Sequence, residues 1–523
     1  MAIKRYFANV DTTITNAFKD DLTTRATGSN TGLSDILETF SIYGQSSSSA
    51  GLSSELSRIL IHFRKSDIST DRSNGDIPAS GSVSFYLKMY NAEHGQTLPR
   101  DYTLQVKAIV SASWEEGYGL DMDGYSDVTR DGVGANWITA KQGTTWLNPG
   151  GDFVKASSDT SSSCSFANGD EDLEVDITTL VEQWLNSSGN VLGSKSNYGV
   201  GVMFLSSSEV ESRSYYTKKF FSRSSEFVLK RPHLEARWES GEKDNRGNFI
   251  YSSSLATADE NLNTLYLYNY FRGQLRNIPE VNADGDVSTV YVSLFSGSAD
   301  DTEPHGTSLE LVADGTHVGR AHETDPTIGR VVTGSRVSTG IYKARVALTS
   351  SLVSLDTVYD VWFKGGATIA DASAASVQFN TSSFTPKKEG AYEIRPSDEY
   401  VTNVTNLRPV YRNDEVSRFR VYTRKRDWSP TMYTVASSRV ENSPVESGSY
   451  SIFRVVDDFV VVPHGTGSDL HTVMSYDMSG NYFNFDMSIL EPGYMYGIRF
   501  AYYNNSIGSW VDQKQVFKFR VEK

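Results

Sequence analysis

Apolar and polar residues alternate with period two along most of the chain. In "SVSFYLKMY", Val83, Phe85, Leu87 and Met89 fall on one face, and in "LQVKAIV", Leu104, Val106, Ala108 and Val110 do the same. Such alternation predicts half-buried β-strands, because successive side chains of a strand point to opposite faces. The theme continues in "RILIHF" (58–63), "YGVGVMFL" (198–205), "IYKARVAL" (341–348), "VYDVWF" (358–363), "SIFRVVDDFVVV" (451–462), "YMYGIRFAYY" (494–503) and "VFKFRV" (516–521). Clusters of Gly, Ser, Asn and Asp separate these runs, the punctuation expected of β-sandwiches.

One segment breaks the period. In "DITTLVEQWLN", Ile177, Leu180, Val181, Trp184 and Leu185 recur at helical spacing behind Asp176, which is placed to cap the first turn. This predicts one short amphipathic helix lying across a sandwich. Two stretches without periodicity, "ESGEKDNRGN" (239–248) and "TPKKEG" (385–390), read as linkers. The expected organisation is therefore a β-sandwich over 1–240 and two smaller sandwiches over 248–386 and 387–523. The last two share a turn, a Gly-bearing alternating strand and a Trp-bearing strand, and read as tandem Ig-like modules.

With 523 residues there is ample chain for several cores, and the formal charge of −15 argues against a general nucleic-acid or anionic-membrane binder. The single cysteine, Cys164, allows no internal disulfide, and the eight histidines form no metal-ligand pattern; His317 and His322 are spaced for neither a helix face nor a strand face. The "MAIKRYFANVDTT" opening lacks the apolar core of a secretory signal, and no apolar run reaches membrane-spanning length. A protein made and assembled in a cytoplasm, without membrane insertion, is expected.

Three candidate features remain. The stretch "GLDMDGYSDVTRDGVGANW" carries four aspartates within 121–131. An EF-hand register starting at Asp121 fails, because Tyr125, Ser126 and Gly132 occupy positions that need an oxygen ligand, Gly and Glu. A looser calcium site on Asp121, Asp123 and Asp127 is one reading, and a turn-rich loop tip is the other. Trp114, Trp137 and Trp146 flank this loop; they read as core or edge packing, as anchors for a protein partner, or as platforms for sugar rings. The basic stretches around 218–231 and 424–426 read as solvated turns. No nucleophile motif, phosphate loop or dinucleotide fingerprint occurs, and Glu115 and Glu116, adjacent on a strand, would point to opposite faces. No catalytic residue and no cofactor beyond that calcium reading are expected.

Four features of residues 1–240 come in a recognisable order: "ATGSNTGLSDILETFSIYG" with "SRILIHFRKSDI", then "SWEEGYGLDMDGY…ANWITAKQGTTWLNPGGDF", then "LEVDITTLVEQWLN", then "YGVGVMFL…YYTKKFFSRSSEFVLKRPHLEARW". Together they resemble the DNRLRE-type β-sandwich module. The resemblance implies a jelly-roll-like fold and an association with surface or carbohydrate-binding proteins; it does not imply an enzyme. The long central version joined to Ig-like modules resembles structural proteins of tailed bacteriophages. The implied protein is a virion component of capsid, neck, tail or baseplate. Its partners would be other virion proteins and further copies of itself. A carbohydrate-binding adhesin or tail fibre that contacts host polysaccharide is the alternative.

Overall fold

In the computed structural model, the described residues are 2–19, 21–43, 54–93, 99–111, 113–120, 133–211, 214–253, 256–257, 259–279, 287–313, 330–349, 355–364, 371–387, 400–426, 432 and 442–523. The fold is all-β, and its sheets fall into three stretches of chain.

The first stretch contains β1 (Ile3–Phe7), β2 (Val10–Thr15), β3 (Ile36–Tyr43), β4 (Ser54–His62), α1 (Lys65–Asn74), β5 (Ser84–Met89), β6 (Tyr102–Ala108), β7 (Thr139–Lys141), β8 (Thr144–Thr145), β9 (Ser161–Phe166), β10 (Leu173–Asp176), α2 (Thr178–Leu185), β11 (Val200–Phe204), β12 (Tyr215–Phe221) and β13 (His233–Arg237). A four-stranded sheet runs β1-β13-β5-β10 and a seven-stranded sheet β12-β3-β4-β11-β6-β9, with β2 on β4. Phe85, Leu87, Leu173, Val175, Leu234 and Ala236 of the first sheet pack on Leu37, Ile59, Ile61, Leu104, Val106, Val200 and Val202 of the second. These are the positions that the alternation marks. Val110 is the exception: the strand ends at Ala108 and Val110 is exposed.

The seven-stranded sheet is apolar on both faces. Its outer face carries Ile14, Leu56 and Leu60, which join Ile109, Trp137 and Trp146 in a second cluster. That is why "RILIHF" has an unbroken run, Ile59–Leu60–Ile61, where a half-buried strand would alternate.

Helix α2 forms where the helical spacing places it. Ile177 occupies the cap position, and Asp176, one residue earlier, accepts from the Thr178 N–H at 2.8 Å. It packs beside α1, a helix whose sequence KSDISTDRSN has no apolar stripe and buries only Ile68. What holds α1 is Gly75, left-handed at φ 82° and closing the last turn, and the Arg72 fork on buried Glu182 of α2 at 2.7 and 2.6 Å.

Residues 251–384 build one nine-stranded sheet with the path 251–252, 341–349, 332–338, 289–297, 358–364, 377–384. Trp362, Tyr342 and Leu294 are fully buried in its core. Residues 400–522 form a four-stranded and a six-stranded sheet. Phe419 and Phe483 stack at 5.0 Å, and Tyr450 lies 4.0 Å from Phe483, so aromatic rings fill the space between the two sheets. "SIFRVVDDFVVV" is not one strand. It is a hairpin of Gly448–Arg454 and Val460–Val462 turning at Asp457–Asp458, with Asp458 at φ 53°.

Candidate functional site

The tryptophan region comes first. Residues 113–120 and 133–153 lie over the outer face of the seven-stranded sheet. Trp137 and Trp146 are buried there, at 7% and 5% exposure. The Trp146 indole N–H donates to Asn136 O at 2.9 Å, and Arg58 covers the Trp137 ring at 5.1 Å while donating to Gly150 O at 2.9 Å. Glu209 holds Arg58 by a two-pronged pair at 3.1 and 2.7 Å. Trp114 is partly buried and its indole N–H donates to Tyr198 O at 2.9 Å. Of the readings open for Trp137 and Trp146, packing is the one their surroundings fit: their rings close a sheet face that would otherwise be wet, and neither offers a flat platform to a sugar. Burial works against ionisation of Asp152, but hydrogen bonds from Ser111 and from the N–H groups of Leu147 and Asn148 hold its carboxyl below the usual range and fix the turn after Trp146.

Asp121, Asp123 and Asp127 lie outside the described residues, as do His317 and His322. Both stems of the aspartate stretch are described. Buried Asn30 accepts from the Gly119 N–H at 3.0 Å and donates to Ala135 O at 3.0 Å, so one side chain clamps the two stems together. Gly117 (φ 85°) and Gly134 (φ 99°) pack so tightly on Asn30 that a Cβ on either would collide with it. Among the described residues, no group of three or more His, Cys, Asp or Glu could hold a metal ion.

Glu115 and Glu116 are not on a strand. Glu116 forms a bidentate pair with Arg223 and accepts from the Asp11 N–H at 3.0 Å. Asp11 accepts from the Arg223 N–H at 2.7 Å. Burial, with a contribution from the neighbouring Glu116 charge, raises the Asp11 carboxyl to about 7. The stretch 218–231 is thus not a run of solvated basic turns: Lys218 is fully buried and Arg223 is paired.

The largest concentration of buried charge lies where the four-stranded sheet meets residues 459–471. Register places Arg5, Glu235 and Tyr86 side by side across β1, β13 and β5, and His233, Lys88 and Glu174 in the next row. This outward face, polar in sequence, is not wet. Arg5 donates to Glu235 at 2.8 Å and to Val461 O; Arg237 holds Glu235 at 2.7 Å, Glu174 at 2.7 Å and Asp469 at 3.5 Å. Burial opposes ionisation of Glu235, yet Arg5, with His233, Lys88 and Arg237, holds its carboxyl well below the normal range. His471 is 3% exposed with neither ring nitrogen hydrogen-bonded, and burial, reinforced by Arg237, lowers it to about 4. Ile3 of β1 is buried in the same apolar cluster as Tyr450 and Phe483, and Tyr90 meets Phe459 at 5.4 Å.

The charged stretch 239–248 is equally fixed. Lys243 bridges to Tyr476, the Glu242 carboxylate accepts from the Tyr482 hydroxyl at 2.7 Å, and Arg246 lies between Asp244 and fully buried Asp360. Asp360 accepts from Arg246 at 2.6 Å, from the Trp362 indole at 2.7 Å and from Ser382 at 3.1 Å. Sequence reasoning missed these contacts. The available signal was apolar and aromatic residues (Ile3, Phe7, Tyr86, Tyr90) sharing a strand face with charges, which marks a face meant to be covered.

No protein-family model matches this chain, and no curated protein matches it. Among solved structures, a chimeric titin Z1Z2-Z1Z2 tandem functionalised with a GRGDS peptide from fibronectin is 12% identical, over 41% of this chain and 83% of that one, at a TM-score of 0.14. A DUF4785 family protein from Legionella pneumophila is 9% identical over 98% and 92%, at a TM-score of 0.13.

Proposed function

We propose that the protein is a non-enzymatic structural component of a tailed-phage virion, present in multiple copies and acting through protein–protein interfaces. The observation that carries this reading is the fixed connection of its β-sheet stretches. The joints are made of shared apolar side chains and of charged contacts that cross between stretches (Arg5 to Val461 O, Arg237 to Asp469, Arg246 to Asp360), where a flexible multi-domain binder would have solvated tethers. A rigid spacer of this kind suits an assembly whose parts hold position. The ordered DNRLRE-like motifs of residues 1–240 support the same reading. The adhesin alternative has no stacking platform at Trp137 or Trp146. Among the described residues, no helix is long and apolar enough to cross a membrane.

The test is immunogold electron microscopy of purified phage particles from the source culture with an antibody to this chain. Gold at a defined place on head, neck, tail or baseplate is the expected result. Particles that carry the protein in no copy, by gold and by mass spectrometry of the virion, would overturn the proposal.

A further inference from the structure

We propose that Lys218 and Asn91 form an intramolecular amide cross-link that ties the two sheets of the first sandwich together. The proposal does not rest on the virion reading. Lys218 lies on β12, the edge of the seven-stranded sheet, and Asn91 directly follows β5 of the four-stranded sheet. The two segments meet at a bridge between Asn91 and Phe220, flanked by hydrogen bonds from Ala92 N to Lys219 O at 3.0 Å and from Phe221 N to Tyr90 O at 3.1 Å. The Lys218 side chain is 0% exposed, and its Nζ donates to Asn91 Oδ1 at 2.7 Å. The Asn91 carbonyl carbon lies one covalent bond beyond that oxygen, so a short shift of Nζ off the oxygen would bring nucleophile to electrophile.

The surroundings suit the reaction. Nζ lies 4.9 Å from the centre of the Phe166 ring and 5.3 Å from that of Phe220, and these rings keep water away. Its other acceptors are the Gly169 and Glu171 carbonyls, at 2.8 and 2.7 Å. A desolvated lysine is the form in which an amine becomes a nucleophile. Burial dominates here over the acidic residues nearby and lowers Lys218 to about 8, so free amine is accessible near neutral pH. Asp172 exerts the largest charge effect on Lys218, and its carboxylate accepts from the Asn91 main-chain N–H at 2.8 Å. On that charge effect it is assigned the proton transfer.

The step balances without an oxidant or co-reactant. Asp172 takes a proton from the Lys218 ammonium, and the freed lone pair forms the Nζ–Cγ bond while the carbonyl π pair moves onto Oδ1. A second proton passes from Nζ to Nδ2. The carbonyl re-forms, the Cγ–Nδ2 bond breaks, and ammonia leaves with the proton held by Asp172. Lysine ammonium plus asparagine amide becomes secondary amide plus ammonium.

The experiment is denaturing intact-mass spectrometry of the purified full-length chain after incubation at pH 8, followed by peptide mapping. The expected result is a loss of one ammonia, about 17 Da, and a branched peptide joining the Asn91 and Lys218 segments. Asp172→Asn is expected to keep the full mass, and so is Asn91→Ala. Wild-type protein at its sequence mass would overturn the proposal whatever the variants do. So would an ammonia loss with no branched peptide, which is the signature of an asparagine succinimide.

Discussion

Replacing Asp360 by leucine should destabilise the protein by about 3–5 kcal/mol, the cost of leaving one partner of a buried pair behind. Asp360 is fully buried and takes hydrogen bonds from Arg246, Trp362 and Ser382. Its removal strands the Arg246 guanidinium, itself 7% exposed, with Asp244 as its remaining carboxylate. Burial already pushes that carboxyl up to about 6, so it is a poor counter-charge. The Trp362 indole N–H, inside the same core, also loses its acceptor. Converting the pair as a whole should behave differently. In Asp360→Leu with Arg246→Met the guanidinium leaves with its main partner, so the loss should be smaller than the sum of the two single losses, while Asp244 is left without its cation and the Trp362 indole without its acceptor. The Asp244 carboxylate keeps its hydrogen bond from the residue 246 main-chain N–H in that variant. The assay is urea unfolding at pH 7 on both single variants and the double, closed as a cycle, with limited proteolysis of the 239–248 segment as a local readout. A single Asp360→Leu variant within about 0.5 kcal/mol of wild type would refute the reasoning, as would additive losses in the double.

Two predictions concern pH, with opposite signs. Asp11 has a folded pKa raised by burial from 3.8 to about 7, so it opposes folding increasingly as pH rises between those values; at ~1.4 kcal/mol per pH unit this reaches on the order of 4 kcal/mol. Asp11→Asn should therefore be more stable than wild type at pH 8 and gain little at pH 4; equal unfolding midpoints at pH 8 would contradict this. His471 has a folded pKa lowered from 6.5 to about 4, so its contribution is fully present above 6.5 and is lost as pH falls toward 4, on the order of 3 kcal/mol. His471→Gln should flatten the acid limb of the stability curve between pH 6.5 and 4, as measured by urea midpoints; an unchanged acid limb would refute the assignment of that dependence to His471.

The elements legible in the sequence were those whose pattern is local. Alternation in "SVSFYLKMY" reports a strand with one face in the core, and the helical spacing of Leu180, Val181 and Trp184 reports α2. The polar helix α1 gave no such signal, because its stability comes from a glycine cap and from one arginine reaching a glutamate 110 positions away. The hairpin hidden in "SIFRVVDDFVVV" was marked by its Asp-Asp pair, but the apolar residues on both sides outweighed it. The tryptophans were noticed with packing, partner and sugar readings all open, and the unbroken Ile59–Leu60–Ile61 run was the local sign, not used, that their sheet has two apolar faces. The charged joints were illegible for a simpler reason. Arg5, Glu235 and Asp469 come together only after the whole chain has folded, and each alone looks like a surface residue.

The position of Ile3 has a consequence for synthesis. Its strand pairs with residues 233–237, and its side chain is buried in a core completed by residues as late as Val521. A ribosome therefore releases the first strand long before its final environment exists. The sandwich of residues 1–240 must wait, with Arg5, Glu235 and Arg237 hydrated, until the residues up to Val521 that cover it have been made. A ribosome-bound chain stalled before residue 448 should thus hold a first sandwich whose β1 edge exchanges its amide hydrogens, and the finished protein one whose β1 edge does not.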